Sequence, residues 1–142
     1  NERRVPLQKE VNYIQNYLDL ERLRQGKNVE INFKVDGQIF DQQIAPLMFI
    51  PFLENSFKHG LDNQIKSGYV NIHMHLESNN VAMDIENSKP PSIPEPKTDK
   101  KSGGIGLENV KRRLKLLYPH KHNLEIIDKP NSFKVSLNIQ LN

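Results

Sequence analysis

Cysteine is absent from the 142 residues, which excludes disulfides, thiolate zinc sites and cysteine nucleophiles and allows a reducing compartment. No apolar run approaches the roughly 18 residues that a membrane-crossing helix needs. No signal peptide is visible, and no segment repeats internally. Charge of one sign is also scarce: the net excess is +3 and the pI about 9.1. That balance is compatible with an anionic ligand and too small to argue nucleic acid. What is present fits one soluble globular domain, with 36% hydrophobic and 26% charged residues. A chain of this length buries about 68–70% of its unfolded surface. The chain opens Asn1-Glu2-Arg3-Arg4 without Met and enters a helical pattern at once, as expected of a piece cut from a longer protein.

Pro6 suits the first turn of a helix. Leu7, Val11, Ile14 and Leu18 then recur at helical spacing to about Arg24, with Gly26 as the stop. Tyr13, Tyr17 and Leu20 widen the stripe, which can dock on the domain or on a partner helix. Val29, Ile31, Phe33 and Val35 alternate as a half-buried strand. Asp36-Gly37 is a hairpin turn signal, answered by a short strand around Gln38–Asp41. A second helix is expected from near Pro46 to about His59, with Gly60 after it. Val70, Ile72, Met74 and Leu76 form a strand, and Ser78-Asn79-Asn80 turns it into another carrying Val81, Met83 and Ile85. Residues 88–103, with Pro90, Pro91, Pro94 and Pro96, read as a long loop of the kind that serves as a lid or binding loop. A third helix runs from near Gly106 to about Leu117. Strands Leu124–Asp128 and Phe133–Leu141 close the chain. The order predicts an α+β fold: a two-layer sandwich, its mixed, mostly antiparallel sheet covered on one face by helices.

Three constellations carry chemistry. Leu47, Ile50, Leu53 and Phe57 form the apolar stripe of the second helix. Glu54, Asn55, Lys58, His59 and Asp62 fall on one polar face. A carboxylate and a carboxamide facing a lysine one turn on suit a hydrated Mg²⁺ and a polyphosphate; a solvated helix face accounts for the same spacing. Gly103-Gly104-Ile105-Gly106-Leu107 stands directly before a helix, where glycines allow close approach and the helix start offers unpaired N–H groups. The stretch is neither a Walker A loop nor a dinucleotide fingerprint, and an ordinary hinge explains it equally. Asn87 lies in phase with Val81, Met83 and Ile85, so it points inward and needs a partner such as the edge of a base; a turn residue closing the strand is the alternative.

In this order these pieces resemble the GHKL ATPase superfamily with its Bergerat-type site, and within it the LytS-type sensor histidine kinases. Pro51-Phe52-Leu53-Glu54-Asn55-Ser56-Phe57-Lys58-His59-Gly60 resembles that family's N box. Gly104-Ile105-Gly106-Leu107-Glu108-Asn109-Val110-Lys111-Arg112-Arg113-Leu114 resembles its G2 box and following helix. Val5-Pro6-Leu7 through Arg24 resembles the end of its phosphoacceptor region. The resemblance implies that residues 1–25 belong to that phosphoacceptor and dimerisation region. Residues 26–142 would then be the ATP-binding catalytic domain, with an ATP lid at 88–103. It implies Asn55 as a Mg²⁺ ligand, Glu54 as the group orienting or polarising the attacking group, and Lys58 and His59 near the phosphates. Gly104, Ile105, Gly106 and Leu107 would bind the nucleotide, Gly104 and Gly106 letting the lid close over the triphosphate and the backbone N–H groups at the helix start donating to it. Catalysis of this kind is mostly positioning and charge neutralisation. One box departs: Asp84-Ile85-Glu86-Asn87-Ser88-Lys89-Pro90 lacks the family's glycines, and Asn87 stands where the family offers aspartate to the adenine amino group. A neutral acceptor makes the weaker contact.

The expected activity is transfer of the ATP γ-phosphoryl to a histidine outside this chain, then to a response regulator of the LytTR type. The full protein would be a homodimer, and this part a cytoplasmic domain of a plasma-membrane protein. The alternative is a degenerate nucleotide-binding regulatory module, motivated by Asn87. None of the five histidines falls at the phosphoacceptor position. His73 and His75 are an outward i, i+2 pair with no further metal ligand nearby in sequence, and His120 and His122 are expected to be solvated. Lys111, Arg112, Arg113 and Lys115 raise nucleic-acid binding as a third reading, but they wrap around a helix with no aromatic platform.

Overall fold

The computed structural model describes residues 3–58, 67–89 and 104–141. Among the described residues the elements run β1 (Val5–Pro6), α1 (Leu7–Gln25), β2 (Val29–Asp36), β3 (Gln43–Ile44), α2 (Ile50–Ser56), β4 (Gly68–Glu77), β5 (Asn80–Ser88), α3 (Gly104–Leu117), β6 (His122–Asp128) and β7 (Ser132–Gln140). Five strands form one sheet in the order β2-β4-β5-β7-β6. The pairing of β2 with β4 is parallel and the other pairings are antiparallel. The period-two pattern sets the register. Met74, Met83 and Leu137 form one inward rung, and Ile72, Ile85 and Val135 form the next. A one-residue slip would turn every one of these side chains to the solvent.

Helices cover the inward face. Leu7, Val11, Ile14 and Leu18 of α1 share a single buried cluster with Phe52 and Leu53 of α2, Leu107, Val110 and Leu114 of α3, and the sheet. Each such side chain contributes about 1.5–3 kcal/mol when fully buried. Gly26 stops α1 as expected, its N–H bonding Arg22 O at 3.3 Å. The stripe of α1 is narrower than its sequence suggests: Tyr13 and Leu20 are exposed. Only Tyr17 packs, edge-on against Phe57 at 6.0 Å.

Two local expectations are overturned. Asp36-Gly37 does not close a hairpin. The chain leaves β2 and forms β3, which pairs with β1, while β2 takes β4 as a parallel neighbour. Residues 38–41 offer only Ile39 and Phe40 as apolar partners, whereas β4 sets Val70, Ile72 and Met74 opposite Ile31, Phe33 and Val35. Gly37 is required all the same. Its φ is +99°, and a Cβ there would lie 2.3 Å from Leu76 O. The second helix starts at Ile50, not near Pro46, and its last turn widens at Phe57 and Lys58. Leu47, expected on the helical stripe, instead has φ 58°. The Ala45 N–H, the Pro46 carbonyl and both backbone groups of Leu47 are taken by the side chains of Tyr118, Arg113 and Glu10, so no helical turn is needed to satisfy them.

Candidate functional site

The site begins with the phase of β5. Asn87 occupies the inward rung between Val70 and Phe133, where an apolar residue would continue the pattern. It is 2% exposed. Its Nδ2 donates to Ser88 O at 2.9 Å, and its Oδ1 has no partner among the described residues. On α2, which packs against β5 and α3, Asn55 is 6% exposed and its Oδ1 also has no partner among the described residues. Ser56 Oγ is a third such atom. Leaving a buried acceptor or hydroxyl unsatisfied costs about 1–3 kcal/mol each. Three buried oxygen atoms of this kind on adjoining elements suit a polar ligand. Oxygen acceptors also match the demands of a hard divalent cation and of an amino group on a base. Sequence reasoning singled out Asn55 and Asn87 but not Ser56; its position beside Asn55, within a helix otherwise rich in buried apolar residues, was the available signal.

Other candidate residues are placed differently. α2 is buried nearly all round: Ile50, Phe52, Leu53, Asn55 and Ser56 are inside, as is Phe57. Glu54 and Lys58, one turn apart, are exposed. The single polar face expected of Glu54, Asn55 and Lys58 is therefore divided, with Asn55 inward and the other two outward. Glu54 and Lys58 line a groove with Tyr17, Glu21, Arg24 and Phe57. Burial there pushes the Tyr17 phenol well above its ordinary range, and the negative charges of Glu21 and Glu54 add to the rise. The backbone of Gly104, Ile105 and Gly106 forms the first turn of α3 and does not precede the helix. Unpaired N–H groups stand at such a start. Leu107 is buried in the core, where it anchors this turn. His59, Asp62, Gly103 and positions 90–102 of the expected lid lie outside the described residues. Of that stretch Ser88 ends β5, and Lys89 donates its N–H to Asn131 O at 3.1 Å and pairs through Nζ with Asp128.

The outer side chains form two further clusters. His73 Nε2 lies 2.6 Å from Asp36 Oδ2, a bond that holds the Asp36 carboxyl below its usual range. Among the described residues, no group of three or more potential ligands gathers at a metal-binding distance. His122 is half-buried, with Nδ1 2.8 Å from Tyr118 O. The basic residues of α3 also sort themselves: Lys111, Arg112 and Lys115 line a groove beside His122 and Asn123 of the edge strand β6, while Arg113 turns away to Pro46 O and Leu47 O. Lysines beside an edge strand are a common guard against unwanted strand pairing.

With this geometry in hand, known proteins place the chain. The sensor protein LytS of Oceanobacillus iheyensis is 30% identical over 132 residues, spanning 86% of this chain and 23% of LytS. The sensor histidine kinase BtsS of Escherichia coli is 24% identical over 129 residues, spanning 91% of this chain and 22% of BtsS. The chain is a homologue of the LytS-type sensor histidine kinases. It therefore spans less than a quarter of the length of these two relatives. No family model matches it. Its fold is that of a histidine kinase catalytic domain. The nucleotide-free catalytic domain of the histidine kinase ThkA superposes with a TM-score of 0.68 at 15% identity, covering 99% of this chain and 96% of that one. ThkA has also been solved in complex with the response regulator TrrA. Asn87, which the sequence reading compares with that family's aspartate, is a buried residue of the inward rung.

Proposed function

We propose that this chain is the ATP-binding catalytic domain of a two-component sensor histidine kinase. It would hand the γ-phosphoryl of ATP to a histidine outside the chain, for relay to a response regulator. The observation that carries the reading is the pair of orphaned carboxamide oxygens, Asn55 Oδ1 and Asn87 Oδ1, at the two motif positions that the homologues' family assigns to metal and adenine. Asn87 Oδ1 accepts from the adenine amino group. Asn55 Oδ1 supplies an oxygen ligand to Mg²⁺, which when bound neutralises phosphate charge. Lys58, His59 and the first-turn N–H groups at Gly104, Ile105 and Gly106 draw the phosphates, and Leu107 fixes that turn. Glu54, exposed on the neighbouring face, orients the attacking imidazole, which has to arrive from solvent. In the full protein, residues 1–25 end a phosphoacceptor and dimerisation region. The regulator is of the LytTR type, and the sensor is a membrane-anchored homodimer. No described helix is long and apolar enough to cross a membrane.

One observation favours a second reading, a degenerate regulatory module: the adenine acceptor is the neutral Asn87, not a carboxylate. A Mg-ATP titration followed by NMR shifts separates the two. The parent chain binds in a Mg-dependent manner, and Asn55→Ala weakens that binding at least about tenfold, the loss of one good ligand contact, without lowering stability. Unchanged binding by Asn55→Ala rules out the metal assignment. Absence of binding by the parent at millimolar Mg-ATP leaves the regulatory module as the better reading.

A further inference from the structure

The segment leading into α2 is held by side chains from the helices on either side. Glu10 of α1 is 4% exposed, and its Oε1 accepts the Leu47 N–H at 2.9 Å. Burial pushes its carboxyl up; that N–H and the charges of Arg113 and Lys9 pull it back. Arg113 of α3 donates from Nη2 to Pro46 O at 3.0 Å and from Nη1 to Leu47 O at 3.3 Å. Tyr118, just past the end of α3, accepts the Ala45 N–H at 2.9 Å. The Arg4 guanidinium lies over the Tyr118 ring, 5.1 Å from its centre. Three consecutive residues are thus bonded from α1 and from the end of α3. Between them Leu47 holds a φ of 58°, which a leucine keeps only where its surroundings over-determine it.

These bonds add direction to an entry into α2 that is otherwise set by the packing of Ala45, Met48 and Phe49 in the core. The N-cap of α2, Phe49, makes no side-chain capping bond, so the start of the helix takes its direction from the segment before it. Asn55 follows from that direction. We infer that Glu10 and Arg113 are positioning residues: they lock α1, the lead-in to α2 and the body of α3 into one unit. That unit sets where Asn55 stands relative to the first turn of α3. A shift of α1, through Glu10, moves Leu47 and with it both halves of the site. The consequence for ligand binding rests on the nucleotide reading above; the mechanical coupling does not.

The test uses the 142-residue chain with Glu10→Ala, Glu10→Gln and Arg113→Met. Val35→Ala, on β2, serves as a control for general destabilisation. Amide exchange is measured first without nucleotide. Glu10→Ala and Arg113→Met each speed exchange at Leu47 and Asn55 together, at least about tenfold, as one locally opening unit does. Val35→Ala leaves the ratio of those two amides to the sheet amides unchanged. Mg-ATP binding is then measured. It weakens about tenfold in Glu10→Ala and Arg113→Met and returns to within about twofold of the parent in Glu10→Gln, whose amide oxygen still accepts the Leu47 N–H. If Glu10→Ala does not fold, Arg113→Met gives the same two readouts, since the carbonyls it frees can turn to water. Independent exchange at Leu47 and Asn55 overturns the coupling. Parent-like Mg-ATP binding in both disruptive variants overturns the positioning role. A parent that binds no Mg-ATP refutes the nucleotide reading alone, and the exchange comparison still decides the junction.

Discussion

Replacing Asn87 by valine separates what the fold wants at that rung from what the ligand wants. Val70 and Phe133 flank the position, and an apolar β-branched residue continues the inward ladder. The substitution removes an orphaned acceptor, a gain of about 1–3 kcal/mol, and gives up the Nδ2 bond to Ser88 O, a loss of about 0.5–1.5 kcal/mol. Ser88 is half-buried at the end of β5, so its carbonyl can bond water instead. Valine also fills the space with methyl groups that pack against Val70 and Phe133. The ligand-free domain should gain about 1–2 kcal/mol, or about 3–10 °C in Tm for a chain of this size. Mg-ATP reverses the ranking. The parent gains about 2.7 kcal/mol at a hundredfold excess of ligand over Kd, while Asn87→Val gains nothing because its adenine acceptor is gone. Thermal unfolding followed by circular dichroism, with and without Mg-ATP, gives all four values. A variant that is clearly less stable than the parent without nucleotide would mean that Asn87 serves the fold. A variant that is stabilised and still responds to Mg-ATP would mean that its oxygen never met the base. Either result refutes the reasoning.

Asn87→Asp works the opposite way. The charged acceptor strengthens the adenine contact by about 1 kcal/mol, roughly fivefold in Kd by calorimetry, and it lowers the ligand-free Tm at neutral pH because a buried carboxylate is left unpaired. Gly37→Ala places a methyl group 2.3 Å from Leu76 O at a φ of +99°. It should cost about 2–4 kcal/mol in urea unfolding, and a cost under about 0.5 kcal/mol would show that the close approach relaxes freely. Glu10 gives a pH dependence with a definite sign. Its folded pKa lies above the ordinary 4.5, so the folded chain holds this proton more tightly than the unfolded one. The resulting stabilisation is fully present below 4.5 and is lost as pH rises through the folded value. Urea midpoints should therefore favour Glu10→Gln over the parent increasingly as pH rises across that window. A constant difference would show that Glu10 titrates alike in both states.

Much of the layout was legible because strand periodicity is an unforgiving signal. Once Val81, Met83 and Ile85 are assigned to one face, Asn87 has to share it. Its burial followed from its neighbours, and its orphaned oxygen is the structural face of the same fact. Turns were less legible because their chemistry is local and pairing is not. Asp36-Gly37 turns the chain in either arrangement. The choice of β4 over a hairpin depends on an apolar ladder that lies more than thirty residues further on.

α2 was misjudged for a related reason. A helical wheel divides a helix into two faces, and that division suits a long helix lying on a surface. α2 is short and enclosed, so the apolar stripe ceases to mark its inner side. Asn55 can then be buried while its neighbour Glu54 is exposed. The boundary at residues 45–49 was hidden for the same reason that makes it informative. Its backbone bonds come from Glu10, Arg113 and Tyr118, residues remote in sequence, and no local propensity encodes them. On the positioning proposed above, the place of Asn55 belongs to the assembly: side chains of α1 and α3 bond the backbone of Leu47, and Leu47 leads into the helix that carries Asn55.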